Sequence, residues 1–164
     1  MIPELMIEIK VLLLLIIANG MPIIMQKIMR NKWQFPIDAG ILFYDKQPLF
    51  GSTKTVRGFV ASIIVTSFAA PLFGMEIVQG GVFALWAMAG DLLSSFIKRR
   101  LKMKPSSMAL GLDQIPESLL PLLALQDYLQ ITLIDVVNIV LLFLVCELAL
   151  SRLLYHLRIR DRPY

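Results

Sequence analysis

The sequence predicts an all-α integral membrane protein, a single bundle of about five transmembrane helices spanning residues 1–164. Three observations predict it. Hydrophobic residues make up 57% of the 164, and the mean hydropathy is +0.73, well above a soluble domain that is roughly half apolar by the same count. The apolar residues fall in runs long enough to cross a bilayer. Finally, basic and non-basic connections alternate along the chain.

The first apolar segment covers residues 5–29. Its centre, VLLLLIIA, is followed by Asn19, Gly20 and Pro22. A kink is expected there, because proline cannot donate a backbone hydrogen bond. Asn19 then has two readings at that depth: it bonds backbone freed near Pro22, or it lines a cleft. Glu4, Glu8 and Lys10 replace a clean basic start, so the segment reads as a span and not as a cleavable signal. Residues 30–57 form a long polar loop punctuated by Pro36, Gly40, Pro48 and Gly51. The next segments are 56–73 and 77–98, rich in Ala, Ser and Gly that suit close helix packing in lipid. A shorter one at 116–129 contains Pro121, and the last runs over 131–155.

Orientation follows the basic residues. Arg30, Lys32, Lys46, Lys54 and Arg57 lie in the loop 30–57, and Lys98, Arg99, Arg100, Lys102 and Lys104 lie in the loop 98–115. Arg152, Arg158, Arg160 and Arg162 lie at the C-terminus. The intervening turns carry only Glu76 and Asp127. The expected topology therefore has the N-terminus outside, the C-terminus cytoplasmic and both long loops on the cytoplasmic face of the cell membrane.

The net charge of +4 fits basic loops near lipid headgroups. No groove of interleaved aromatic and basic residues suggests a nucleic-acid partner. Cys146 is the only cysteine and His156 the only histidine, which removes an internal disulfide, a zinc or iron cluster and a histidine-based nucleophile from consideration.

The chemistry concentrates in residues 89–114, AGDLLSSFIKRRLKMKPSSMALGLDQ. On a helix over 77–101, Asp91, Ser94, Ser95, Lys98 and Lys102 fall on one side at about 100° per residue. With Lys98 at the water interface, Asp91 lies about 10 Å further in. A carboxylate at that depth faces a bundle interior or a wet cleft and is a functional-site hypothesis by default. The structural alternative is an ion pair of Asp91 with Lys98. Asp91 and Asp113 suit a shared magnesium ion, which takes few protein carboxylates and completes its shell with water and phosphate oxygens. Lys54, Lys98 and Arg99 would neutralise a polyphosphate, and Ser94 and Ser95 would donate hydrogen bonds. GSTKTVRG at 51–58 places Lys54, Thr55 and Arg57 where phosphate could bind. It lacks the spacing of a P-loop, and alone it reads equally as a basic loop on anionic lipid. Together these residues suit a water-soluble nucleotide meeting a lipid phosphate. The competing readings are a non-catalytic protein that binds anionic lipid or a protein partner through its basic loops, and a small carrier built around Asp91.

GDLLSSFIKRR at 90–100 followed by LDQ at 112–114 resembles the CDP-archaeol synthase family, a branch of the phosphatidate cytidylyltransferases. The likeness extends to Asn19, Pro22, PIDAG at 36–40 and GSTKTVRG, covering about residues 11–125. It implies a short five-helix enzyme that uses Mg2+ to transfer CMP from CTP to a lipid phosphate and releases pyrophosphate. By motif, Asp91 and Asp113 would bind metal, with Ser95, Lys98 and Arg99 on the same helix. Lys54 and Thr55 would contact nucleotide phosphates. Two departures from the larger phosphatidate enzymes, no Lys-Asp after Lys-Arg and no His-Gly-Gly before the second motif, favour the archaeol branch. That branch continues Leu-Asp-Gln-x-Asp, whereas this chain has Pro116 and then Glu117, which would stand in as the further metal ligand. The Pro-Glu variant is similar to bacterial-type members, so the expected product is a CDP-activated lipid of either the archaeol or the diacylglycerol kind.

Overall fold

A computed structural model describes residues 2–30, 32–104 and 107–158. The chain runs through α1 (Ile2–Met29), α2 (Val56–Ala69) with a 3-10 turn (Ala70–Phe73), α3 (Ile77–Arg100), α4 (Gln114–Ala124), α5 (Gln126–Leu129) and α6 (Leu133–His156).

Among the described residues, four stretches are long and apolar enough to cross a membrane: Met6–Met29, Val56–Phe73, Ile77–Arg100 and Leu133–His156. The expected fifth span, 116–129, is not one helix. It divides at Leu125 into α4, of 11 residues, and α5, of four, and 11 residues reach only about 16 Å. The pair still returns the chain to the other end of the bundle. The backbone N–H of Glu76, beside the α2–α3 turn, donates to the Tyr128 hydroxyl at 3.3 Å. At the opposite end Lys27 donates to the Arg158 carbonyl at 2.9 Å. Gln130, at φ 53°, turns the chain. Thr132 and Asp135 then start α6 with a reciprocal capping box.

Small residues set how closely the helices approach. A Cβ on Gly90 of α3 would stand 2.2 Å from the Pro116 carbonyl oxygen of α4, so α3 and α4 touch backbone to backbone. Gly58 of α2 faces Pro22 of α1 less tightly, where an added Cβ would stand 3.1 Å from the proline ring. Pro22 cannot bond the Ala18 carbonyl four residues back. Ser62 of α2 donates to that oxygen at 2.6 Å, a role the sequence had suggested for Asn19. Asn19 instead donates to Leu15 within its own helix at 3.1 Å and lines a cleft.

Leu14, Leu15, Phe83, Leu122 and Ile139 are wholly buried in the half of the bundle nearer the α2–α3 turn. At the other end the loop after α1 folds around Asp38. One Asp38 oxygen accepts from Gly40 N–H at 3.0 Å, and the other from Phe50 and Gly51 at 2.9 and 3.0 Å. Burial pushes this carboxyl up, but the three N–H groups outweigh it and hold it below its ordinary value. Arg100 pins the loop to the end of α3. It donates to the Pro48 carbonyl at 2.6 Å, ion-pairs with Asp45 at 3.2 Å and lies against the Phe43 and Phe96 rings.

Candidate active site

A cleft of about 780 Å³ opens at the end of the bundle where the two long loops meet. Met88 and Phe143 are among the apolar residues that line it. Its polar wall comes from α3, where Asp91, Ser95, Lys98 and Arg99 face inward one above another, as 3.6 residues per turn dictates. From the other elements come Lys54, Thr55, Asp113, Gln114, Glu117 and Glu147.

Among the described residues, two ion pairs between lysine and aspartate organise the charges. Lys54 Nζ lies 2.6 Å from both oxygens of Asp91, and Lys98 Nζ lies 2.6 Å from Asp113. The pairing of Asp91 with Lys98 is thus not formed. Burial alone would lower the Lys54 pKa, but the charge and hydrogen bonds of Asp91 outweigh it and hold it above its ordinary value. Lys54 is therefore a cation in the cleft. Lys98 also donates to the Ser107 carbonyl at 3.1 Å, and Arg99 to the Lys104 carbonyl at 2.9 Å. The base of α3 thereby holds the loop that precedes Asp113. Thr55 caps α2, its hydroxyl oxygen accepting from Gly58 N–H at 3.4 Å.

Three residues fall elsewhere than expected. Ser94 is buried beside the cleft and not on its wall; its hydroxyl donates to the Asp91 carbonyl one turn back at 2.9 Å. Arg57 donates to the Arg30 and Lys32 carbonyls, tying the loop to the end of α1 outside the cleft. Lys102 lies past the end of α3 at φ 55° and is exposed. The face of α3 that lines the cleft runs through Asp91, Ser95, Lys98 and Arg99, not through Ser94 and Lys102.

The sequence reading missed Gln114, Glu147 and Ser151. Gln114 donates to Glu147 at 2.6 Å, and Ser151 donates to Glu147 at 3.3 Å. A signal was present, because Glu147 is an acid within an apolar run, as Asp91 is.

Among the described residues no three metal-ligating side chains stand close enough to form a ready metal site. The donor chemistry nonetheless suits a hard cation. Asp91, Asp113 and Glu117 offer only oxygens to the cleft. Glu117 is 7% exposed and makes no hydrogen bond or ion pair among the described residues. A buried carboxylate so placed is costly unless a cation or proton meets it.

Similarity to known proteins identifies the family. The family model for CarS-like CDP-archaeol synthases matches residues 73–164. That stretch holds Asp91, Lys98, Asp113 and Glu117. The CDP-archaeol synthase of Thermofilum pendens is 36% identical over 104 residues, 60% of this chain and 51% of that protein. That of Pyrobaculum arsenaticum is 27% identical over 153 residues, 90% of this chain and 92% of the relative. The corresponding enzyme of Pyrobaculum calidifontis is 30% identical, again over 153 residues, with 90% and 91% covered. A solved structure described as an intramembrane enzyme for archaeal membrane lipid biosynthesis superposes with a TM-score of 0.74. It is 30% identical, with 87% of this chain and 91% of that one covered. These relatives are archaeal, so they give no support to a bacterial-type assignment. By sequence match over more than half its length, and by fold, the chain belongs to the CDP-archaeol synthase family.

Proposed function

We propose that this protein is a CTP-dependent nucleotidyltransferase that joins CMP to archaetidic acid, forming CDP-archaeol and pyrophosphate. Family membership gives the reaction. The observation in the structure that carries it is the pair of lysine–aspartate contacts, Lys54 with Asp91 and Lys98 with Asp113, inside one cleft between apolar helices.

The lipid phosphate oxygen is itself the nucleophile, so no serine or cysteine nucleophile is needed. The work left to the protein is holding two anionic substrates in line and offsetting their charge. Lys54, Lys98 and Arg99 would take phosphate oxygens, with Ser95 and Thr55 donating hydroxyl hydrogen bonds. Asp91, Asp113 and Glu117 would hold Mg2+, which when bound supplies charge neutralisation on the nucleotide phosphates. Each lysine already touches a carboxylate, so a cation at the acids and a triphosphate at the bases would exchange partners within the same few ångströms.

Pro116 does not disturb this arrangement. It is the third residue of α4, where a helix has no internal use for the missing N–H. Glu117 follows it into the cleft. The basic-loop pattern supports the N-terminus outside and the cleft open to the cytoplasm, where CTP is available. The archaeal relatives favour an isoprenoid ether lipid over a diacyl one.

The test is purified protein in detergent with Mg2+, radiolabelled CTP and a panel of archaetidic and phosphatidic acids. CDP-lipid is expected, with archaetidic acid turned over faster. No product with any lipid phosphate would refute the reading.

A further inference from the structure

We infer that Glu147 is a positioning residue: through Gln114 it clasps α6 to the turn that carries Asp113 and so sets where Asp113 meets Lys98. The inference rests on the reading above that Asp113 serves the transfer.

Gln114 is the first residue of α4 and is 2% exposed. Both ends of its amide are used. Its Nε2 donates to Glu147 Oε2 at 2.6 Å, while its Oε1 accepts from the Gly111 N–H at 2.8 Å. Gly111 sits at φ 80°, the left-handed turn that brings the chain into α4. Asp113 closes the same turn from its other side. One of its oxygens accepts from Ala109 N–H at 2.9 Å, and the other meets Lys98. On α6, Ser151 donates to the remaining Glu147 oxygen from one turn further along.

A continuous path therefore runs from Ser151 through Glu147, Gln114 and the Gly111 turn to Asp113 and Lys98. α3 holds the preceding loop through Lys98 and Arg99, and α6 holds the turn through Glu147. An amide bonded to a half-buried carboxylate is charge-assisted and directional. Glutamine is suited to the link because it gives a donor to Glu147 and an acceptor to Gly111. Leucine loses both contacts. Glutamate keeps the Gly111 bond and sets two carboxylates against each other. Exchanging the two side chains, Gln114→Glu with Glu147→Gln, preserves every bond in the clasp.

The experiment measures kcat, KM and melting temperature on full-length protein in detergent with CTP, Mg2+ and archaetidic acid. Gln114→Leu, Glu147→Leu and Gln114→Glu should each lower kcat by about 10- to 100-fold, as small misplacements of a reacting group do. The KM for the lipid should stay within about twofold. The exchanged double variant should recover to within about fivefold of the wild-type kcat, and its melting temperature should rise back from that of Gln114→Glu. A double variant that melts like wild type yet stays as inactive as Glu147→Leu would overturn the inference, since the carboxylate at 147 would then itself be acting on substrate or metal. Wild-type kcat in Gln114→Leu would overturn it too. Should the wild-type protein form no CDP-lipid at all, the functional reading fails instead. The melting temperatures then still decide the clasp: recovery in the double variant upholds it, and no recovery removes it.

Discussion

Towards the α2–α3 turn, the interior positions of the long helices are Leu14, Leu15, Phe83 and Ile139, all without exposed surface. From about two turns further along α3, the interior positions become Asp91, Ser95, Lys98 and Arg99 around a cleft of about 780 Å³. The same helices thus close one end with apolar packing and hold the other open with charge. Close packing of apolar side chains is tolerant of which residue supplies the volume. An array of buried charges is not, because each group depends on a named partner. Most of the stability is expected to reside in the first half and the chemistry in the second, and substitutions can test that division.

Gly90→Ala should have the largest effect, since it acts on both halves. The added Cβ would meet the Pro116 backbone at 2.2 Å, so α4 must move away. A loss of about 3 kcal/mol in stability is expected, with a fall in activity as Asp113 and Glu117 shift. Denaturant titration and turnover on the same preparation would show both. Asp91→Asn should separate the halves cleanly: a fall of about 100- to 1000-fold in kcat/KM, with a smaller change in melting temperature than for Gly90→Ala. Unfolding of the bundle by this substitution would instead favour a structural role for the carboxylate. Phe83→Ala is the converse, costing about 3 kcal/mol of stability while the turnover of the folded fraction stays near wild type. Ser62→Ala should cost about 1 kcal/mol, by leaving the Ala18 carbonyl without its donor; thermal denaturation in detergent would read it.

The smallest effect concerns the loop over the cleft. Folding holds the Asp38 carboxyl below its ordinary value. Its contribution is therefore full at neutral pH and is lost as pH falls below the usual carboxylate range and through the depressed value. Increased proteolysis of the 38–51 loop in acid is expected. Asp38→Asn should already show that sensitivity at pH 7 and lose most of its pH dependence. A loop equally resistant at both pH values would refute the assignment.

How much of this was legible in the sequence differs between spans and site. The four long helices follow from apolar runs alone, because a bilayer imposes length and composition directly. The run at 116–129 misled, since hydropathy does not register a break at Leu125. On α3, spacing placed Asp91, Ser95 and Lys98 together. It also admitted Ser94 and Lys102, because a helical wheel gives an angle but neither the width of the cleft nor the point where the helix ends. Glu147 carried the same signal as Asp91 but has no neighbouring motif to draw attention to it.

Hydropathy and a local period of 3.6 residues were thus enough to gather acids and bases at one end of a membrane bundle. Tertiary structure decided which acid meets which base. Lys54 reaches Asp91 across 37 positions because a loop knotted around Asp38 brings it there. Gln114 finds Glu147 because Gly90 lets α4 lie against α3. Such pairings depend on how distant segments approach, and no local periodicity records that.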